Sequence, residues 1–85
     1  MEAEQTFTYE DLTFTYKMQS ATAAVGSYPD GPGLRTSFSM CLGERNGMPV
    51  ATISCCAREG GKESRGLLAL ATSVWPETSR SARTV

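Results

Sequence analysis

The chain has 85 residues, which is enough for one domain and too few for two. A hydrophobic fraction of 40% and a charged fraction of 20% are typical of a folded chain with a small core rather than of a disordered one. Because the net charge is only −1, no global field attracts nucleic acid or anionic lipid, and we expect neither as a partner.

The absence of histidine narrows the chemistry that the chain can perform. Ser-His-Asp and Cys-His mechanisms, histidine general bases and histidine metal ligands are all excluded. Carboxylate, lysine, tyrosine or cofactor chemistry would remain. We therefore favour a non-catalytic protein and predict no cofactor.

The start of the chain and its apolar runs bear on its compartment. The first five residues carry two glutamates where a secretion signal would be basic, and the longest apolar run covers only residues 67–71. Three cysteines are an odd number, which does not suggest a closed disulfide framework. We therefore expect a reduced, cytoplasmic compartment and no membrane span.

The tetrapeptide Thr-Phe-Thr-Tyr occurs at residues 6–9 and again at 13–16, and its alternation predicts strands near 5–10 and 12–19. The phase of this alternation slips by one residue at Glu10-Asp11. A β-bulge within one long strand repairs the slip, and so does a tight hairpin whose loop is Glu10-Asp11-Leu12. We favour the bulge, because that loop has no glycine or asparagine for a positive φ.

The next segment, residues 20–27, consists of small residues without a clear period and is compatible with a strand or a loop. Residues 28–33, Tyr-Pro-Asp-Gly-Pro-Gly, then predict a turn. Pro29 presets φ, Gly31 supplies a positive φ, and Pro32 blocks a helix.

The firmest prediction is an antiparallel hairpin over residues 36–58 that turns at Asn46-Gly47, the preferred pair for a two-residue type I′ turn. In that register the numbers of opposed residues sum to 93. One face of the hairpin is then wholly apolar, with the pairs Leu42–Ala51, Met40–Ile53 and Phe38–Cys55, and the other face is mixed and mostly small. A one-residue slip would mix the two faces, so the pattern and the turn support each other.

Pro49 bears on the position of this hairpin in the sheet. It falls opposite Glu44 at a non-hydrogen-bonded position, so the hairpin itself does not need the missing N–H. A strand added on the outer side would need it. We therefore predict that the strand over 49–58 is an edge strand near its start, and that this edge is a candidate for self-association.

The C-terminal third contains one further element. Residues 60–66 predict a flexible loop, and the apolar residues of 67–75 fit helical spacing up to Pro76, which would stop a helix. A strand over 67–75 is the alternative, and we favour a helix near 66–75.

Together these elements predict a mainly β fold, all-β or α+β. We expect a small antiparallel sheet of about four strands, near 5–10, 12–19, 36–44 and 49–58, with one short C-terminal helix packed on its apolar face. A single domain would cover 1–76, followed by a flexible polar tail over 77–85. The predicted core consists of Phe14, Tyr16, Phe38, Met40, Leu42, Ile53, Leu68 and Trp75.

The cysteines do not form a predicted site. In the hairpin register Cys41 and Cys55 face opposite ways, and Cys56 lies too far along the strands from Cys41 for a bridge. No Cys-x-x-Cys occurs, and no histidine completes a zinc site. We expect Cys55 in the core and Cys41 and Cys56 as small residues of the sheet. The alternative is a free, reactive thiol at Cys56 or Cys41.

Tyr9-Glu10-Asp11-Leu12 is a Tyr-x-x-Leu sequence, which resembles the tyrosine motifs of receptor cytoplasmic tails. Such motifs bind SH2 domains when phosphorylated and sorting adaptors when not. An extended peptide would offer the tyrosine to a polar pocket and Leu12 to an apolar one. The alternative interpretation is that Tyr9 and Leu12 are ordinary strand residues.

Asn46-Gly47-Met48-Pro49, set between two apolar strands, resembles the strand–turn–strand of FMN-binding split barrels, which often carry an Asp/Asn-Gly-x-Pro turn there. The resemblance covers about a quarter of the chain and implies a flavin-binding subunit that is completed by oligomerisation. The basic residue with which such barrels contact the flavin phosphate is absent from 50–57, and the chain is shorter than those barrels.

Three functional hypotheses follow. The first is a small, non-catalytic protein-interaction or self-associating module, with a protein partner or a homo-oligomer as its complex and with Tyr9, Leu12, Pro49 and Cys56 as candidate interaction residues. The second is a subunit of an oligomeric, flavin-type cofactor-binding protein. The third is a fragment or an uncharacterised reading frame without a defined activity.

Overall fold

Five antiparallel strands follow one another along the chain and pair in that order, so the sheet is a meander. The structure is a computed structural model that describes residues 3–55, 60–78 and 83–84. The elements are β1 (Gln5–Tyr9), β2 (Leu12–Ser20), β3 (Ala23–Pro29), β4 (Arg35–Arg45), β5 (Met48–Ser54), α1 (Lys62–Val74), a 3-10 turn (Pro76–Thr78) and β6 (Arg83–Thr84). The predicted class, a mainly β antiparallel sheet with one C-terminal helix, is confirmed.

β1 and β2 form a tight hairpin, and the predicted bulge at Glu10-Asp11 is wrong. Tyr9 pairs directly with Leu12, so the loop consists of Glu10 and Asp11 alone. Glu10 adopts a φ of +57° without being glycine or asparagine. Because the loop has two residues, Tyr9 and Leu12 share one face of the sheet, which accounts for the slip in phase.

Residues 20–27, for which the sequence is compatible with a strand or a loop, contain most of strand β3. β3 pairs with β2 on one side and with β4 on the other, and the first pairing shifts by one residue between Met18 and Ser20. This irregularity places a bulge at Gln19. The predicted turn is confirmed at residues 30–34, whereas Tyr28 and Pro29 still belong to β3.

The hairpin of β4 and β5 has the predicted register. All the pairs from Arg45–Met48 to Ser39–Ser54 sum to 93, and the turn consists of Asn46 and Gly47, both with positive φ. β5 ends at Ser54, one residue before Cys55, so the predicted pairing of Cys55 with Phe38 lies beyond the strand. Cys56 lies outside the described residues.

The core lies between the helix and one face of the sheet, which we call the helix-facing side. Phe14, Tyr28 and Phe38 from three neighbouring strands meet there, with ring centroids 5.4 to 6.4 Å apart. Each such ring contributes about 1.5–3 kcal/mol by leaving water. The buried set is Leu12, Phe14, Ala24, Tyr28, Phe38, Met40, Ala51, Ile53, Leu67, Leu70, Ala71 and Trp75. Of the predicted core, Tyr16, Leu42 and Leu68 are only partly buried and pack against this set.

The predicted helix begins earlier than expected. Lys62 is its first residue, so most of the predicted loop over 60–66 is helical. Arg65 starts the hydrogen-bonding ladder by donating its backbone N–H to the carbonyl of Gly61 at 3.0 Å. The buried residues of the helix are 64, 66, 67, 70 and 71, which lie on one helix face.

The helix ends at Val74, and the side chain of the next residue, Trp75, connects it to the β2–β3 turn. The indole Nε1–H donates to the carbonyl of Ala21 in the β2–β3 turn at 2.9 Å. Thr78 is fully buried, and β6 pairs with Thr52 and Ile53 of β5. These parts of the predicted tail belong to the fold; the flexibility of the rest of 77–85, and the single domain over 1–76, stay predictions.

Candidate interaction site

Tyr9 and Leu12, two of the candidate interaction residues, face each other across the β1–β2 turn. Leu12 is buried in the core and Tyr9 is half-buried. Residues 9–12 therefore form a closed turn rather than an extended peptide. Recognition of this segment as a Tyr-x-x-Leu motif would require the hairpin to open and Leu12 to leave the core.

Pro49 lies opposite Glu44, as the register predicts. The two-residue turn fixes Arg45 and Met48 as a hydrogen-bonded pair, so the backbone groups of position 49 point away from β4. β6 pairs with the same outward side of β5 further along, at Thr52 and Ile53. This edge is therefore interrupted by a proline at its start and covered by β6 beyond it.

The opposite edge of the sheet, formed by β1, has neither feature. The hairpin makes Tyr9–Leu12 a hydrogen-bonded pair, and the alternation then turns the backbone N–H and C=O groups of Thr6 and Thr8 away from β2. Among the described residues no strand pairs with that side of β1. The strand sequence Gln-Thr-Phe-Thr-Tyr contains no charge, proline or bulge that would discourage pairing.

The edge is held in place by contacts beneath it. Phe7 packs against Phe14 of β2 with ring centroids 6.4 Å apart, and Thr8 and Thr13 share a hydroxyl hydrogen bond of 3.2 Å across the hairpin. These contacts fix the strand before any partner arrives, which lowers the entropic cost of pairing. We call the outward backbone groups of Thr6 and Thr8, with the side chain of Phe7, the β1 edge.

Two ion pairs tie the hairpin turn to the first turn of the helix. Lys62 Nζ lies 2.6 Å from Asp11 Oδ1, and Arg65 Nη2 lies 4.0 Å from Glu10 Oε2. The hydrogen bond from Lys62 lowers the pKa of Asp11, and the same bond raises the pKa of Lys62. Because all four groups are well exposed to solvent, the pairs orient the turn more than they stabilise the fold.

The outer side of the sheet, opposite the helix, is rich in hydroxyl groups. Two shallow depressions lie on it, of about 410 Å³ beside Lys17 and Val25 and about 240 Å³ beside Gln19 and Cys41. The Ser and Thr residues that face this side are Thr6, Thr8, Thr13, Thr15, Ser27, Ser37, Ser39, Thr52 and Ser54. Such a surface offers hydroxyl groups that both donate and accept hydrogen bonds.

One titratable cluster lies near the start of the helix. Burial raises the pKa of Tyr28, the charges of Cys55, Asp30 and Glu63 raise it further, and a hydrogen bond with Thr36 lowers it. Thr36 in turn donates to Asp30 Oδ2 at 2.8 Å. A phenol held in its neutral form supports packing and hydrogen bonding.

Within residues 3–55, 60–78 and 83–84, no three metal-ligating side chains gather in one place. No helix in the same ranges is both long and apolar enough to cross a membrane. No family model, curated protein or solved structure matches the chain, so its surfaces are the guide to its function.

Proposed function

We propose that the chain is a small, non-catalytic protein-interaction module that binds an extended segment of another chain along the β1 edge. The observation that carries this proposal is that the backbone N–H and C=O groups of Thr6 and Thr8 point outward. Their strand contains no charge, proline or bulge that would discourage pairing. Main-chain pairing with such an edge supplies affinity, and alternate side chains supply selectivity.

The chemistry of the edge defines the kind of segment that fits. An added strand would place one residue beside Phe7 on the helix-facing side and its neighbours beside Thr6 and Thr8 on the outer side. We therefore expect a partner segment that alternates an apolar or aromatic residue with small polar ones. Opposed aromatic, β-branched and threonine pairs each contribute about 0.2–1 kcal/mol.

The test uses a synthetic peptide, Lys-Thr-Val-Thr-Val-Thr-Lys, titrated into the isotope-labelled full chain and followed by amide NMR. We expect the largest shifts at Thr6 and Thr8 and little change at β4. A Thr6→Pro variant loses the outward N–H without losing a bond to β2, so it should abolish the shifts. Thr6→Ala is the matched control, since it removes the hydroxyl and keeps the N–H.

Three results would contradict the proposal: no shifts at millimolar peptide, shifts that map elsewhere on the sheet, or equal binding by the proline and alanine variants. The fluorescence of the single, buried Trp75 reports in each case whether the variant has remained folded.

A further inference from the structure

The sequence of β1 is symmetric about Phe7. Thr6 and Thr8 flank it, so the same Thr-Phe-Thr order is read in both chain directions. The backbone groups that point outward belong to the same two threonines. An antiparallel copy of β1 therefore presents side chains and hydrogen-bonding groups that match those of the original.

Building on the proposed function, we propose that the partner of the β1 edge is β1 of a second copy, paired antiparallel about a two-fold axis at Phe7. Thr6 of each copy then lies opposite Thr8 of the other, as a hydrogen-bonded pair. The two pairs exchange four backbone hydrogen bonds across the axis. A two-fold contact of this kind closes on itself and forms a dimer rather than a fibre.

This register brings the two Phe7 side chains together. Phe7 lies opposite its own copy at a non-hydrogen-bonded position, where Cα atoms approach to about 4.5 Å. In the single chain the ring is half-buried and is covered on one side by Phe14. The axis is perpendicular to the sheet, so both helices lie on the same side and the second ring covers the exposed part of the first.

The neighbouring registers separate the two Phe7 rings. Shifting the pairing by two residues in one direction places Phe7 opposite Gln5, and shifting it in the other direction places Phe7 opposite Tyr9. The Phe7 register has one unfavourable feature, because it brings Glu4 of one copy towards Glu10 of the other. Like charges opposed across strands are destabilising. A change in the sign of one of these charges therefore tests the register.

The dimer should be weak and reversible. Each copy contributes one strand of five residues, far less surface than the roughly 800 Å² per partner of a standard interface. Sedimentation equilibrium of the full chain, up to millimolar concentration, measures it. We expect a monomer–dimer equilibrium that Thr6→Pro abolishes and that Thr6→Ala leaves within about threefold of the starting value.

Two variants then test the register itself. Glu4→Lys converts two like-charge pairs into two opposite-charge pairs, so it should tighten the dimer by about two- to tenfold. Phe7→Cys should form an intermolecular disulfide under mild oxidation, identified by peptide mass spectrometry as a bond between the two copies of position 7. Thr6→Cys is the control, because its two copies lie about 8 Å apart in this register, beyond the reach of a disulfide.

The outcomes separate this inference from the proposed function. A monomer at millimolar concentration whose β1 edge still binds the synthetic peptide overturns the second copy as partner and leaves strand addition in place. A dimer that is insensitive to Thr6→Pro, or that cross-links through Thr6→Cys and not through Phe7→Cys, overturns the register. Absence of both peptide binding and dimer overturns both proposals.

Discussion

Gly66 of α1 lies directly against the ring of Phe14 on β2, so closely that a Cβ at position 66 would fall 2.6 Å from two of the ring carbons. The same Cβ would approach Tyr9 Cβ to 3.4 Å. The first half of the helix can therefore lie flat on the β1–β2 hairpin only because residue 66 has no side chain.

The first prediction is that Gly66→Ala destabilises the protein by about 1–3 kcal/mol. Alanine favours a helix over glycine by about 1 kcal/mol, but overpacking against a buried ring costs more than this gain. The free energy of unfolding in urea measures the change. Gly43→Ala is the control, since no atom lies within 4 Å of its added Cβ; an equal loss there would contradict the packing explanation.

The second prediction concerns the strained turn residue Glu10. A φ of +57° costs a side-chain-bearing residue about 1 kcal/mol, so Glu10→Gly should raise stability by about 0.5–1 kcal/mol despite the loss of the distant contact with Arg65. Its neighbour Asp11 does not adopt a positive φ, so Asp11→Gly should lower stability. Thermal unfolding of the two variants side by side measures both; the same sign for both would refute the explanation.

The third prediction is that Trp75→Phe lowers stability by about 1–2 kcal/mol. The substitution keeps an aromatic ring in the core and removes the bond from Nε1 to Ala21, which ties the end of the helix to the β2–β3 turn. Circular dichroism follows unfolding, because the variant lacks the only tryptophan.

In the unaltered chain we expect one cooperative transition with a red shift of Trp75 fluorescence. A gradual, non-cooperative change would support the hypothesis of a reading frame without a defined fold.

The fourth prediction is a loss of stability at alkaline pH that depends on Tyr28. Burial raises the pKa of this phenol above its ordinary value of 10.0, so the folded chain keeps a proton that the unfolded chain releases near pH 10. The stabilisation is complete below that pH and is lost as the pH rises above it. Tyr28→Phe removes this contribution, so its stability should fall less than that of the unaltered chain between about pH 9 and pH 11. Parallel pH profiles of the two chains would exclude the effect.

The register of the β4–β5 hairpin, from Arg45–Met48 to Ser39–Ser54, could be predicted because two independent signals agree. Asn46-Gly47 takes positive φ readily, and the register that this turn imposes separates apolar from polar residues. When turn chemistry and hydrophobic alternation point to the same pairing, few alternatives remain.

β3 could not be predicted, because its side chains do not alternate in size. Its helix-facing positions hold Ala24 and Gly26, which make room for larger neighbours. A Cβ on Gly26 would lie 2.7 Å from the ring of Phe38 on β4. The apolar surface above the middle of β3 is therefore supplied by the adjacent strands, and the sequence of β3 alone carries no sign of it.

The sequence marks a different edge from the one proposed above, for a related reason. With a bulge at Glu10-Asp11, β1 and β2 would form one strand, and the only edge marked in the sequence was that of Pro49. Glu10 instead accepts an unfavourable φ, and the resulting hairpin creates a separate edge strand. The symmetry of Thr6 and Thr8 about Phe7 was visible in the sequence, but it acquires meaning only with this turn.

The meander gives this small chain an order of assembly. Its four antiparallel pairings close over loops of two, two, five and two residues, so each strand meets its partner at little cost in loop entropy. Two hydrogen bonds that span more than fifty residues, from Lys62 to Asp11 and from Trp75 to Ala21, belong to the helix and the residue that follows it. During synthesis on the ribosome, the strands can therefore pair one after another before the helix has been made. The aromatic face of the sheet stays exposed until the helix packs on it.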